Sequence, residues 1–356
     1  MKKIFLVAAL CLGATGCFNR NGVTSTAAPE PAAPMLIASA TPTFRDVFQQ
    51  GQPIAFDYRP VEGVTLDSAV LYVDGVRQSG TDVAAWTCAL PMSARVGRYA
   101  YRIEAFSGKD HSTKVGEFTV LPAHAPIEYT CEVLDTYPHD RQAYTQGLFW
   151  HDGFLYESTG LKGQSSLRKV ELTTGKAVRR IDLSPDYFGE GIALLDGKIY
   201  QLTWQDRQGF VYDFDSFQQI EKFGYGTEGW GLTADGTSLY KSDGSEKIEV
   251  LDPNTFKRVR TIEAYTDKGK VEHLNELEWI DGEIWANVYG ADIIVRIDPA
   301  TGAVVGIIGF PGLIKRIDRD ATTDVFNGIA YDPAAKAIYV TGKNWNKLFR
   351  IRLIAE

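Results

Sequence analysis

The chain has 356 residues, room for two domains, and its 44% hydrophobic and 23% charged residues are the balance of an ordinary soluble protein. A formal net charge of -8 argues against nucleic acid as a partner. Aromatic residues (12%) and 34 glycines suit an all-β protein of short strands and tight turns.

Met1-Lys2-Lys3 is basic, residues 4–12 are apolar, and Ala14-Thr15-Gly16-Cys17 ends the run with small residues. This reads as a secretory signal peptide over 1–16, too short to span as a stable helix. The cysteine after small residues resembles the lipobox of bacterial lipoproteins, with Ala14 where leucine is usual. The resemblance implies acylation at Cys17. It also implies a lipid-anchored place in a bacterial cell envelope, periplasmic or outer-membrane. Residues 17–34, rich in Ala, Pro, Thr and Ser, read as a flexible tether. Cys11 leaves with the signal. Cys88 and Cys131 stay in an oxidising compartment, and their spacing leaves a bridge undecided.

Over 35–122 the pattern is of short alternating strands. Ala69-Val70-Leu71-Tyr72-Val73 runs into the hairpin signal Asp74-Gly75, and Tyr99, Tyr101, Ile103 and Ala105 alternate with other residues. This spacing predicts a small Ig-like β-sandwich, without a catalytic constellation, acting as a spacer or docking module. Residues 121–126, with two prolines, read as a linker.

From 127 to 356 the sequence repeats five times at about 40–50 residues. First strands begin Gln146-Gly147-Leu148, Glu190-Gly191-Ile192, Trp230-Gly231-Leu232, Asn275-Glu276-Leu277 and Asn327-Gly328-Ile329. Asp-Gly turns follow at 152, 196, 235 and 281, and Asp332-Pro333 replaces the fifth. Four-stranded units at this period predict a five-bladed β-propeller.

In a propeller, equivalent positions of each repeat form a ring round the channel mouth. One ring reads Gln146, Glu190, Trp230, Asn275 and Asn327. A second reads Gly160, Trp204, Gly244, Tyr289 and Lys343. The scaffold repeats while these positions diverge into polar, aromatic and charged groups. A site built on a symmetric frame has that signature. Within it, Phe188-Gly189-Glu190-Gly191 sets a carboxylate beside an apolar ring, which raises a carboxyl pKa and suits a general acid/base.

Residues 138–353 resemble the plant and bacterial type of glutamine cyclotransferase. The matching stretches include Pro138-His139-Asp140, Tyr144-Thr145-Gln146-Gly147-Leu148, Phe188-Gly189-Glu190-Gly191, Trp230-Gly231-Leu232, Leu274-Asn275-Glu276-Leu277-Glu278, Phe326-Asn327-Gly328-Ile329-Ala330 and Thr341-Gly342-Lys343. The resemblance implies a five-bladed propeller that turns the N-terminal glutamine of peptides or proteins into pyroglutamate, releasing ammonia. It implies Glu190 as the acid/base. It implies substrate contacts from Tyr144, Gln146, Phe188, Trp204, Trp230, Asn275, Tyr289 and Lys343. Tyr144 and Tyr289 depart from the usual Phe and Trp, which bears on pocket shape more than on the reaction.

The five histidines form no zinc-ligand spacing, so no metal or other cofactor is expected in catalysis. A monomer is expected. The alternative is a non-catalytic propeller that binds peptides or proteins at the envelope. The presence of Glu190, Asn275 and Lys343 together argues against it. A sugar- or lactone-hydrolysing propeller would want a metal-binding carboxylate cluster at the mouth, where only Glu190 stands on the first ring.

Overall fold

The computed structural model describes residues 34–78 and 85–356. The signal peptide, Cys17 and the tether up to residue 33 lie outside the described residues.

Alternating side chains build the N-terminal region. Ala69, Leu71 and Val73 turn inward from Ser68–Val73, and Tyr99, Tyr101, Ile103 and Ala105 from Gly97–Ser107. These strands belong to a five-stranded sheet that also holds Val47–Gln49, Asp110–Leu121 and Val76–Arg77. A three-stranded sheet of Ile37–Thr41, Pro53–Pro60 and Ala85–Ala89 shares one core with it. Phe56 from the smaller sheet packs edge-on against Phe118 from the larger, with centroids 5.7 Å apart. The arrangement is the expected sandwich. Among the described residues, Cys88 and Cys131 are not bridged to each other.

Four-stranded antiparallel meanders fill the rest of the chain. The first four run Thr145–His151 to Ala177–Asp182, Gly189–Leu195 to Gln219–Gly224, Leu232–Ala234 to Arg258–Glu263, and Leu274–Ile280 to Val304–Gly309. The fifth has Phe326–Asp332, Ala337–Gly342 and Lys347–Ala355, and takes its fourth strand from Ile127–Pro138, ahead of the first unit. The repeat in the sequence gives no sign of this exchange, because outer strands carry none of the recurring residues. The innermost strands pack against one another in a closed cycle, first on second through to fifth on first. Inner strands are almost wholly buried, and outer ones such as Ala177–Asp182 mostly exposed. This is a propeller, the fold read from the repeats in the sequence.

Glycines explain why the inner strands fit. A Cβ on Gly147 would lie 2.5 Å from the backbone nitrogen of Ile192, and one on Gly191 or Gly231 would strike the next unit's backbone. Only the fourth unit carries a side chain here, Glu276. It accepts backbone N–H groups from Leu148 (3.2 Å, unit one) and Ile329 (2.9 Å, unit five). Three of the four Asp-Gly turns, at 152, 196 and 281, have both residues at positive φ, as two-residue hairpins require. The turn at 235 is longer: Thr237 is added, and the Asp235 carboxylate accepts the N–H of Thr237 and of Ser238, both at 2.8 Å.

Ring closure also has a buried ion pair. His139, next after the closing strand, meets Glu157 of unit one at 2.9 Å through Nε2, and its Nδ1 is 2.8 Å from the Trp345 carbonyl of unit five. Thr145 donates to the same Glu157 oxygen at 2.7 Å. The sandwich touches the propeller's outer rim, where Val96 N–H donates to Thr301 O and Arg98 N–H to Glu263 Oε2, both at 2.7 Å.

Candidate active site

Each unit delivers the start of its inner strand and the end of its second strand to the same mouth. All nine residues expected at the site line one cavity there, of about 250 Å³. Gln146, Glu190, Trp230 and Asn275 come from the first ring. Trp204, Tyr289 and Lys343 come from the second, each in the position just past its strand. Tyr144 and Phe188 stand two residues before Gln146 and Glu190. Asn327, the fifth member of the first ring, is buried outside the cavity lining and donates to the Thr145 carbonyl at 3.0 Å. The second-ring glycines make room for rings: a Cβ on Gly160 would lie 2.8 Å from Phe188 Cζ, and one on Gly244 2.7 Å from Trp230 Cζ2.

Glu190 is 4% exposed and its Oε1 accepts the Gln146 side-chain amide at 3.0 Å. Burial holds its carboxyl well above the usual carboxylate range; Lys343 opposes this and Glu228 adds to it. Burial correspondingly lowers the Lys343 amine, against Glu190 and Asp324. Lys343 is 3% exposed and has no hydrogen-bond or ion-pair partner for its amine among the described residues. That nitrogen lies 4.9 Å from the Tyr144 ring centroid and 5.2 Å from that of Tyr289. Asn275 is 2% exposed, and its Oδ1 is buried without a partner.

The aromatic residues form the wall. Tyr144 meets Phe188 edge-on at 6.1 Å, Phe188 meets Trp204 at 5.6 Å, and Trp230 meets Tyr289 at 5.6 Å. The Tyr144 hydroxyl points to Asp324 Oδ2 at 2.7 Å. Both indole N–H groups donate to Glu228, at 2.7 Å from Trp204 and 3.0 Å from Trp230. An indole is therefore not free to serve as an oxyanion donor. The Lys343 amine and the Asn275 amide remain.

Three carboxyls near the channel escaped the sequence reading. Glu276 and Glu278 lie on the inner strand of unit four, and burial raises both well above the usual range. Glu276 holds the ring together as described, and Glu278 accepts the Tyr331 N–H at 2.9 Å. Glu228 is the third. It precedes Trp230 by two residues, the offset at which Tyr144 and Phe188 precede their ring members, and that offset is the signal that could have found it. Among the described residues no group of three or more His, Cys, Asp or Glu side chains is placed to hold a metal ion.

Comparison with known proteins gives the chain a family. Residues 106–353 match the glutamine cyclotransferase family. That span starts within the strand Gly97–Ser107, upstream of the stretches that carry the resemblance in sequence. A glutaminyl-peptide cyclotransferase of Arabidopsis thaliana is 42% identical over 229 residues, covering 62% of this chain and 71% of the plant protein. The crystal structure of Myxococcus xanthus glutaminyl cyclase superposes with a TM-score of 0.61 at 35% identity, covering 65% of this chain and 99% of that one.

Proposed function

Because the chain belongs to the glutamine cyclotransferase family, we propose that it cyclises the N-terminal glutamine of peptides or proteins to pyroglutamate and releases ammonia, with Glu190 as the proton shuttle. The observation that carries this reading is a buried carboxyl of raised pKa, facing a small aromatic-walled cavity, with an unpaired amine and a side-chain amide in the same lining.

The substrate's α-nitrogen attacks the carbon of its own side-chain carboxamide. A C–N bond forms, the carboxamide oxygen gains charge, and the bond to the amide nitrogen then breaks. Nucleophile and electrophile are already tethered, so the pocket mainly selects the folded conformer. Glu190 takes a proton from the attacking nitrogen and returns one to the departing nitrogen, which leaves as ammonia. A carboxyl whose pKa is raised toward the working pH suits both transfers. Gln146 holds one Glu190 oxygen by its side-chain amide. Lys343 and Asn275 stabilise the oxyanion, where a preorganised donor is worth about 3–4 kcal/mol. The aromatic wall excludes water from these steps.

The chain needs no metal or other cofactor in this scheme, acts as a monomer, and is held to the envelope of a bacterial cell by lipid at Cys17. Incubation of the purified protein with a Gln-initiated peptide tests the reading. Release of ammonia, with the matching loss of peptide mass, is expected; an unchanged peptide contradicts it.

A further inference from the structure

The steps above leave Glu228, a charged group beside the mouth, without a role. Glu228 lies half-buried in the connection from unit two to unit three. Its Oε2 accepts both pocket indoles, Trp204 at 2.7 Å and Trp230 at 3.0 Å, and its Oε1 accepts the Gln205 amide at 3.2 Å. Its backbone carbonyl accepts the amine of Lys241 at 2.9 Å, and that buried amine is itself paired with Glu249 at 3.1 Å.

We propose that Glu228 is a positioning residue for the cyclisation: it locks the two tryptophans of the pocket wall and keeps a negative charge beside the pocket of Glu190. The inference rests on the functional reading above, and goes beyond it in naming what holds the wall.

The contacts around the cavity form a closed belt. Tyr144 packs on Phe188, Phe188 on Trp204, Trp204 and Trp230 both donate to Glu228, and Trp230 packs on Tyr289. The Lys343 amine over Tyr289 and Tyr144 completes the circuit. Glu228 is thus the link that joins the wall of units one and two to that of units three and four. A carboxylate is suited to this place. One oxygen with two lone pairs can take two N–H groups, and the charge strengthens both bonds. Without it, two partly buried indole N–H groups lose their partner and the rings are free to turn. Cyclisation demands one folded substrate conformer, so a loosened wall costs rate as well as affinity.

The charge has a separate consequence. The charged groups that act on Glu190 are Lys343 from unit five and Glu228 from the connection between units two and three, while Glu190 itself acts on the phenols of Tyr144 and Tyr225. Glu228 is the one carboxylate among them. Burial tends to raise its own carboxyl, but the donors from Trp230, Trp204 and Gln205, with Arg207 nearby, keep it below the usual range and so ionised. A fixed negative charge there favours the protonated form of Glu190.

Glu228→Ala and Glu228→Gln, assayed on a Gln-initiated peptide across pH, test the proposal. Glu228→Ala should lower kcat/KM by roughly ten- to hundredfold, the worth of one or two charge-assisted hydrogen bonds. The fall should be shared between kcat and KM, with little loss of melting temperature. Glu228→Gln keeps an acceptor and should lose less, yet its acid limb should move to lower pH because the like charge beside Glu190 is gone. Wild-type kcat/KM in both variants, or equal losses with an unmoved acid limb, would overturn the proposal. Near-ultraviolet circular dichroism of Glu228→Ala reads the indoles without any reaction. Loss of indole signal is expected, and an unchanged spectrum overturns the clamp. Wild-type protein that releases no ammonia would sink the functional reading, and the dichroism result would still decide whether Glu228 holds the indoles.

Discussion

Lys343 and Tyr144 show what single residues add to the pocket. The Lys343 amine, unpaired and held over two tyrosine rings, opposes the raised pKa of Glu190. Lys343→Ala should therefore lower kcat by roughly 10²–10³, as removal of an oxyanion donor does. Glu190 then loses its compensating cation, so its pKa climbs and the acid limb of the pH–rate profile should move to higher pH. A limb that stays in place would mean that Lys343 does not act on Glu190. Tyr144 behaves differently. Its hydroxyl is spent on Asp324 rather than on the cavity, and its ring remains in the wall after Tyr144→Phe. That variant should change kcat/KM by a factor of roughly three at most, since a half-exposed hydrogen bond contributes little net energy. A larger loss would place the hydroxyl in substrate recognition. At this scale the sequence was legible where ring positions diverge, as at Glu190, Asn275 and Lys343. Glu228 was not, because a Thr-Glu-Gly stretch in a connection reads as ordinary surface until its indole partners are seen.

Elements are held by features the repeat makes visible and by others it hides. The Asp-Gly turns could be read directly, since only such pairs adopt positive φ twice at low cost. The first-strand glycines could be read as a repeat, but their reason, the closeness of neighbouring inner strands, needed the structure. The exchange of Ile127–Pro138 into the last unit left no trace in the sequence. Glu276 belongs with the hidden features: a carboxyl in the one unit without glycine, bonded to units one and five. Glu276→Ala should destabilise the propeller by about 2–5 kcal/mol, because two buried backbone N–H groups lose their acceptor. A denaturant midpoint equal to wild type would contradict this. The folded-state pKa of Glu276 is raised above its unfolded value. Its protonation linkage therefore favours the fold fully below the unfolded pKa, and this contribution is lost as pH rises through the folded one. Wild type should lose more stability than Glu276→Ala as pH rises from the ordinary glutamate range upward.

The whole molecule sets the sandwich against the outer rim, through Val96–Thr301 and Arg98–Glu263, away from the residues that line the cavity. We propose that residues from about 127 onward work without it. Deleting 18–122 should leave kcat/KM on short peptides within a few-fold of wild type; a collapse in activity with the propeller still folded would assign the sandwich a part in catalysis. Lipidation at Cys17 is a further proposal, motivated by the charged start, apolar run and small residues before the cysteine. Cys17→Ser should free the protein from membranes, and a wild type that already fractionates as soluble would refute the anchor. The most direct test of the central claim is the pH dependence of kcat for wild type and Glu190→Gln on a Gln-initiated peptide. The swap keeps size and hydrogen bonding but removes the exchangeable proton and the charge. Turnover should fall by on the order of 10²–10⁴ with KM little changed. Wild type should lose activity as pH falls through a carboxyl pKa above the usual range, and Glu190→Gln should lack that limb. Near-normal turnover in Glu190→Gln, with the same acid limb, would show that another group moves the proton.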